Sequence, residues 1–382
     1  MQIFWNLCPP DGPFPWEEAG KYEAEFEATR DLAQTVDSLG YAGVLIAIGS
    51  HRVYEGWTIA TATMGFTRQM KYLIAVYPGV ITPTQMAFMA RTFDKLSGGR
   101  LMINIVGSNP VAMDAYGIHM PKDERYDMLS EYWDLFKRIY AGDELSGQTK
   151  YFQPQNPETQ FRYLPPTQKP HPPFWGAGGS PEGLKAVSAL AETYLVVVGS
   201  PQEMAERVQA VKEAARENGR EISHFGIAIT VIVRDTEEEA WAVAEEKLES
   251  TSMETITGGI GWQTANSQGP HNDDPVVRRS VAAINNGQRP NVRDLEAYPN
   301  IWSGPNLVTG LDFTRAVSGP GATLIGTPQQ VADRLREIRD VAGIDRFILV
   351  GYPLKEEATR FAEKVFPLLD LEVNGTALPD NE

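Results

Sequence analysis

The clearest pattern of apolar and polar positions lies in the first third of the chain. Phe88 and Phe93 mark the apolar side of a helix, which we predict to end at Gly98-Gly99 because glycine adopts left-handed backbone angles without steric cost. Leu101–Val106 is an almost wholly apolar run, typical of a parallel strand covered on both faces. The loop-forming residues 107–110 end that strand. Helix, glycine turn, buried strand and polar loop form one unit of a parallel α/β protein.

The same alternation recurs and predicts eight strands separated by helices. We assign the strands to residues 2–7, 44–48, 72–76, 101–106, 174–176, 194–198, 225–233 and 347–350. Eight such units favour an α/β fold of the (β/α)8 TIM-barrel type, in which chemistry lies in the loops after the strands. A doubly wound open sheet is the alternative, but it seldom needs so many units.

Two segments depart from the alternation. Residues 143–173 lack helical periodicity, so we predict a long excursion before the fifth strand. Residues 250–323, after the seventh strand, are punctuated by glycine and form a long insertion that we expect to include a mobile lid. We predict one domain over residues 1–370 and a tail over residues 371–382.

Charge and cysteine content exclude several classes of protein. The 382-residue chain has a net charge of −16, which would repel a nucleic-acid backbone. Its single cysteine, Cys8, cannot form an internal disulfide, and no apolar run approaches the roughly 20 residues of a membrane-spanning helix. No signal-peptide pattern precedes the first strand. We therefore expect a cytoplasmic protein with no nucleic-acid or membrane partner.

Common catalytic and nucleotide-binding motifs are missing from the sequence. There is no GxxxxGK[ST] or GxSxG motif, and the run GAGGSP has proline where a dinucleotide fingerprint needs a small residue. The five histidines show no HxxH, HxH or HExxH spacing, so we expect no metal site.

Three strand-to-helix junctions share a glycine, a hydroxyl residue and a proline. They are Gly179-Ser180-Pro181, Gly199-Ser200-Pro201 and Gly326-Thr327-Pro328. The hydroxyl residue is placed to cap the helix, and the proline occupies its first turn. The first junction follows a further glycine, Gly178, and a helix start rich in glycine amides suits a phosphate. A capped turn without a ligand explains the same residues, and we prefer that explanation for the other two junctions.

Aromatic and cationic residues near the predicted strand ends are further candidates for a site. Aromatic residues there could bound a flat cofactor or simply pack in the core; they are Trp5, Trp57, Trp175, Tyr126 and Tyr352. The polar groups that we place near the chemistry are His51, Arg52, His119 and Arg125. Arg125 could instead form a salt bridge with a loop carboxylate.

Several longer motifs resemble one known family, the two-component alkanesulfonate monooxygenases of the bacterial luciferase superfamily. The motifs are FDKLSGGRLMINIVGSNP, ERY, PHPPFWGAGGSPEG, FGIAITVIVRDTEEEAW, PNIW with GPNLVTG, and GYP, in consistent order along the chain. The resemblance implies a (β/α)8 barrel with an insertion after strand seven. It also implies reduced FMN from a separate NAD(P)H-dependent flavin reductase, with O2 as co-substrate, for oxygenating a small molecule. We also expect a homo-oligomer.

The resemblance also implies roles for individual residues. Gly178, Gly179 and Ser180 would hold the FMN phosphate with help from Tyr126. Val106, Gly107 and Ser108 would lie against the flavin, and Tyr352 would face the reaction centre. With Tyr352, our candidate catalytic residues are His51, Arg52 and Arg315.

The chain departs from that family where the family binds its sulfonate. Ala228 and Thr230 replace an arginine and a histidine on strand seven, and Leu354 replaces a histidine after Tyr-Pro. Thr309 replaces an arginine and Val198 a tryptophan, and the loop after strand two has no cysteine. Each lost charged hydrogen bond removes about 1.5–3 kcal/mol from an anion site, so we expect a less charged substrate.

Three alternatives stay open. Arg52, Arg125 or Arg315 could rebuild the anion site of a true sulfonate monooxygenase. The chain could also be a flavin-binding barrel without turnover. A deazaflavin-dependent hydride-transfer enzyme of the same superfamily is the third alternative, and the motif GGRLMINIVGS argues against it.

Overall fold

The structure is a computed structural model. It describes the chain except for residues 8–9, 49–52, 108–109, 144, 146–148, 155–163, 258–274, 304, 307–309, 312–321 and 373–382. The strands found in the described part are β1 Gln2–Asn6, β2 Gly43–Ile46, β3 Lys71–Val76, β4 Leu101–Val106, β5 Phe174–Ala177, β6 Thr193–Leu195, β7 His224–Val233, β8 Glu296–Tyr298, β9 Ile301–Trp302, β10 Pro305–Asn306, β11 Gly310–Leu311, β12 Thr323–Gly326 and β13 Arg346–Val350.

Eight strands form a closed ring in the order β13-β1-β2-β3-β4-β5-β6-β7, because β13 also pairs with β7. The chain is therefore an α/β protein with a (β/α)8 TIM barrel, and the predicted fold class is confirmed. β12 pairs in parallel with the end of β7, and β9 and β8 continue from it as antiparallel strands outside the ring.

Helices connect the strands of the ring as predicted. They are α1 Phe26–Ser38, α2 Gly56–Met64, α3 Pro83–Ser97, α4 Pro110–Ala115, α5 Lys122–Ala141, α6 Pro181–Ser188, α7 Pro201–Glu217, α8 Glu237–Glu249, α9 Pro275–Asn285, α10 Pro328–Ala342 and α11 Leu354–Lys364. In the described part of the chain, no helix is both long enough and apolar enough to cross a bilayer.

α3 ends as the glycine pair predicts, at Gly98 with φ 70°. Its buried side was predicted less well, because Phe88 is 44% exposed whereas Met86, Ala90 and Phe93 are buried. Phe88 follows Met86 by two residues, or about 200° around a helix, and therefore lies on the opposite side.

The chain divides into two compact units. Among the described residues, unit 1 comprises Met1–Tyr41, Val196–Gln209 and residues 225–372, and unit 2 comprises Ala42–Leu195 and Ala210–His224. The single domain over residues 1–370 stays a prediction.

In unit 1, the described part of the insertion shares a core with α8 and β7. Trp302 is fully buried in a cluster that includes Trp241 of α8 and Ile232 of β7. The Trp302 indole N–H also donates to the Val292 carbonyl oxygen at 3.0 Å. Much of residues 284–302 is therefore packed structure, and the mobile lid stays a prediction for an insertion that lies partly outside the described residues.

In unit 2, α3 holds the end of α5. Arg91 is 3% exposed, and its guanidinium donates to the carbonyl oxygens of Tyr140 and Leu164 at 2.9 and 2.7 Å. Asp94, one turn further along α3, accepts from the Tyr140 hydroxyl at 2.9 Å and from the Gln168 amide at 2.9 Å. These bonds fix α5 and the end of the excursion that precedes β5.

Candidate functional site

The β5–α6 junction of unit 2 is a capped helix start. β5 ends at Ala177 and α6 begins at Pro181. Ser180 is the N-cap residue, and its hydroxyl accepts a hydrogen bond from the Gly183 amide at 3.1 Å. A helix start carries about half a positive charge and unpaired N–H groups, so that this junction can attract an anion.

The other two junctions of the same sequence pattern are capped by their own side chains. Glu203 accepts a hydrogen bond from the Ser200 amide at 2.8 Å, and Gln330 accepts one from the Thr327 amide at 2.9 Å. Each amide is the donor that a capping box satisfies, so neither is left for a ligand.

The junction at Ser180 has no such internal acceptor. The position that corresponds to Glu203 and Gln330 is Gly183, which has no side chain. Within the part of the chain that the structure describes, the Ser180 and Gly179 amides donate to no protein group. This helix start therefore differs from the other two in leaving donors for an external acceptor.

Tyr126 of α5 explains why position 183 is glycine. A Cβ at Gly183 would lie 2.6 Å from the Tyr126 hydroxyl oxygen, a distance too short for a Cβ atom in a folded protein. The same oxygen is 3.4 Å from the Ser180 hydroxyl oxygen. The structure thus brings together Tyr126 and Ser180, which the resemblance assigns to one phosphate.

Tyr194 of β6 orients the loop before the helix. Its hydroxyl donates to the Gly178 carbonyl oxygen at 2.8 Å, and burial raises the pKa of Tyr194, so the hydroxyl stays a neutral donor. Because the peptide is planar and trans, the Gly179 N–H points away from that bond. A Cβ at Gly179 would meet no described residue within 4 Å, so the described part of the chain leaves the space around it open.

The end of β4 lies beside this junction. A Cβ at Gly107 would lie 3.5 Å from the Ala177 carbonyl oxygen and 3.6 Å from the Tyr126 ring. Val106 pairs in register with Ala177, two residues after Asn104, so Asn104 and Val106 share a face. Both are partly exposed although the rest of β4 is buried. Asn104 is a polar group that the sequence reasoning missed because it lies within an apolar run.

Tyr352 lies in unit 1, in the turn after β13. It is 7% exposed, and its ring meets that of Trp16 edge-on with centroids 6.0 Å apart. Its carbonyl oxygen accepts a hydrogen bond from Lys247 at 3.3 Å. Neither Trp16 nor Lys247 lies in a local sequence pattern that predicts a site.

Ala228 and Thr230 point to the same side of β7, as alternate residues of a strand do. Ala228 is partly exposed, whereas Ile227 and Ile229 on either side are fully buried. Ala228 is therefore incompletely packed, whereas Thr230 on the same side is buried at 8% exposure. Leu354 is the buried first residue of α11, and its amide donates to the Asp11 carboxylate at 2.8 Å.

Several named candidates cannot be placed. His51, Arg52, Ser108, Thr309 and Arg315 lie outside the described residues.

The His119 side chain is 76% exposed and contacts Asp114 at 3.0 Å. Arg125 is 9% exposed; among the described residues its Nε has no hydrogen-bond partner, and the arginine pairs with no carboxylate there. In the same part of the chain, no group of three or more His, Cys, Asp or Glu side chains is arranged to hold a metal ion.

The chain belongs to the luciferase-like monooxygenase family, whose model matches residues 10–346. Solved structures of low identity share its fold. The EDTA monooxygenase EmoA from Chelativorans sp. BNC1 is 18% identical, with a TM-score of 0.71 over 96% of this chain and 93% of that one. DmoA from Hyphomicrobium sulfonivorans is 20% identical, with a TM-score of 0.71 over 96% and 87%.

Proteins of similar fold are not confined to monooxygenases. The coenzyme F420-dependent tetrahydromethanopterin reductase from Methanopyrus kandleri is 19% identical, with a TM-score of 0.64 over 96% of this chain and 99% of that one. The fold alone therefore does not choose between FMN and a deazaflavin.

Proposed function

We propose that this protein is a two-component flavin monooxygenase that oxygenates a small organic substrate with reduced FMN and O2. Its reduced flavin would come from a separate NAD(P)H-dependent flavin reductase. The observation that carries the proposal is the helix start at Ser180, whose amide lacks the internal acceptor that Ser200 and Thr327 have. Family membership supports the class of reaction.

The donors at this helix start fit a terminal phosphate. The amides of Gly179 and Ser180 and the hydroxyls of Ser180 and Tyr126 lie at one helix N-terminus, where a phosphate is favoured by charge and by hydrogen bonds. FMN carries such a phosphate, and bound reduced FMN would supply the electrons that activate O2. The chain's own residues would bind the phosphate, orient the ring along β4 and exclude water.

The substrate that we propose is neutral or weakly charged. Ala228 is partly exposed and Thr230 is buried on β7, but they carry only a methyl group and a hydroxyl, and Leu354 is a buried apolar residue at the start of α11. None of these side chains can neutralise a sulfonate, and an unpaired buried anion costs several kcal/mol, roughly 3 or more.

Comparing FMN with riboflavin tests the phosphate site, because the two differ only in the phosphate. We expect reduced FMN to bind at least about 10-fold more tightly than reduced riboflavin in anaerobic titrations. Ser180→Ala should weaken the binding of FMN by about 1 kcal/mol, or roughly 5-fold, and leave the binding of riboflavin unchanged. Ser200→Ala is the matched control: it also removes a helix cap, and it should change neither affinity. Equal binding of FMN and riboflavin by the native protein would show that no phosphate site exists.

A further inference from the structure

Lys247 is a buried cation to which the proposed function gives no role. It lies on α8 in unit 1 and is 8% exposed. Its ammonium donates to the carbonyl oxygen of Pro13, in the loop after β1, and to that of Tyr352, in the turn after β13. One side chain thus joins three segments that are far apart in sequence.

Trp16 joins the same three segments through its indole. The indole N–H donates to the Thr251 hydroxyl at 2.8 Å, and that hydroxyl donates to the Lys247 carbonyl oxygen at 2.7 Å. The Trp16 and Tyr352 rings meet at 82°, and the Lys247 ammonium is 5.6 Å from the centroid of the Trp16 ring. That distance is within the range of a cation–π contact.

These segments lie where barrel enzymes carry out their chemistry. β1 and β13 are parallel neighbours, so the loops that follow them leave the barrel at the same carboxyl-terminal edge. We infer that Lys247 is a positioning residue, which holds the Trp16–Tyr352 pair in place at this edge. A role of this aromatic pair in flavin chemistry would rest on the proposed function, whereas the contact between Lys247 and the pair does not.

The charges around Lys247 fit a positioning role better than substrate binding. Glu357 and Glu246 raise the pKa of Lys247, and Arg234 lowers it. Glu357 and Arg234 pair with each other at 2.9 Å, and Glu246 is on the same helix as Lys247. The loop carboxylates Asp11 and Glu17 accept hydrogen bonds from backbone amides, at 2.8 Å from Leu354 and Ser252. In the described part of the chain no carboxylate pairs with Lys247, whose donors are directed at backbone carbonyls.

Burial lowers the pKa of Lys247 to about 8. The ammonium therefore predominates at neutral pH and is lost as the pH rises through 8. The pKa of an unfolded lysine is about 10.4, so the folded chain holds fewer protons between these values and this group's contribution to stability rises with pH. A change at Trp16 near pH 8 would therefore report the local contact and not unfolding.

The test follows the emission of Trp16 from about pH 6.5 to 9.5 without flavin, across the pKa of about 8. Because the chain has 8 tryptophans, the signal is the difference between each protein and its Trp16→Phe counterpart. We expect the native difference spectrum to titrate with a midpoint near pH 8. Lys247→Met and Lys247→Arg should both abolish this titration, because methionine is never charged and arginine stays charged to above about pH 12.

Lys137→Met is the matched control. Lys137 is also a lysine whose pKa burial lowers, and it lies 5.0 Å from the Phe174 ring in unit 2. The Trp16 titration should persist in that variant. A native signal that does not titrate, or one that titrates unchanged in Lys247→Arg, would overturn the inference; the arginine variant decides if the methionine variant does not fold.

The flavin titrations separate this inference from the proposed function. The Trp16 titration is measured without flavin, so its outcome does not depend on FMN binding. If the native protein binds no FMN, the proposed function fails, yet the Trp16 titration is still expected.

Discussion

Gly178 and Gly179 are adjacent residues with different steric surroundings, and substituting each separates folding from ligand binding. A Cβ at Gly178 would lie 2.3 Å from the Gly183 carbonyl carbon, whereas a Cβ at Gly179 would meet none of the described residues within 4 Å. Gly178→Ala should therefore destabilise the protein by about 1–3 kcal/mol, the usual range for overpacking. Gly179→Ala should leave stability within about 0.5 kcal/mol but weaken FMN binding, because its methyl group enters the open space beside the phosphate donors.

Thermal unfolding and FMN titration of the two variants check this prediction. Full FMN affinity in a stable Gly179→Ala protein would mean that the phosphate does not approach this loop.

Local chemistry made some site residues predictable and left others hidden. Ser180 was recognisable as a helix cap because capping depends on neighbours three residues away. Tyr194 and Lys247 act on carbonyl groups at Gly178 and Tyr352, which are 16 and 105 residues away in sequence. Such contacts have no sequence signature. Lys247 in particular resembles any lysine of an amphipathic helix until the fold shows its burial.

At the scale of elements, α3 is the support on which α5 and hence Tyr126 depend. The Arg91 guanidinium binds carbonyl oxygens in the last turn of α5, where a cation is favoured by the helix dipole. Arg91→Met should remove several charged hydrogen bonds and lower the free energy of unfolding by about 3 kcal/mol. It should also weaken FMN binding, because α5 carries Tyr126.

Chemical denaturation measures the loss, with Arg216→Met as the control on an exposed helix position. The control should change stability by less than about 0.5 kcal/mol. Equal midpoints for the two variants would mean that α5 is held mainly by its apolar face.

Element boundaries were least predictable where side chains intervene. Strand six was predicted over 194–198, but β6 ends at Leu195. Arg207 of α7 binds the carbonyl oxygens of Val197 and Val198 at 3.0 and 3.3 Å, so they are not available to a strand. β12 was not predicted, because a four-residue segment with only two apolar side chains, Leu324 and Ile325, does not indicate that it will extend β7.

At the scale of the whole molecule, eight repeats of strand and helix were enough to predict the barrel, because each unit repeats the same local pattern. The sequence could not supply the substrate, since that depends on loops and on the insertion. The acidic balance of the chain adds one constraint. A net charge of −16 disfavours the approach of any anion, FMN included, so the helix start at Ser180 has to supply a local positive potential for the phosphate.

The complete two-component reaction tests the substrate class. With a flavin reductase, NAD(P)H, FMN and O2, short alkanesulfonates should release little or no sulfite, because Ala228, Thr230 and Leu354 offer no cation. Neutral organic substrates should incorporate oxygen from labelled O2. Without the reductase, NADH should not be consumed, because the chain has no convincing nicotinamide-binding motif. Efficient sulfite release that Arg52→Ala or Arg315→Ala abolishes would instead mean that the anion site has moved to those cations, and the neutral-substrate proposal would be wrong.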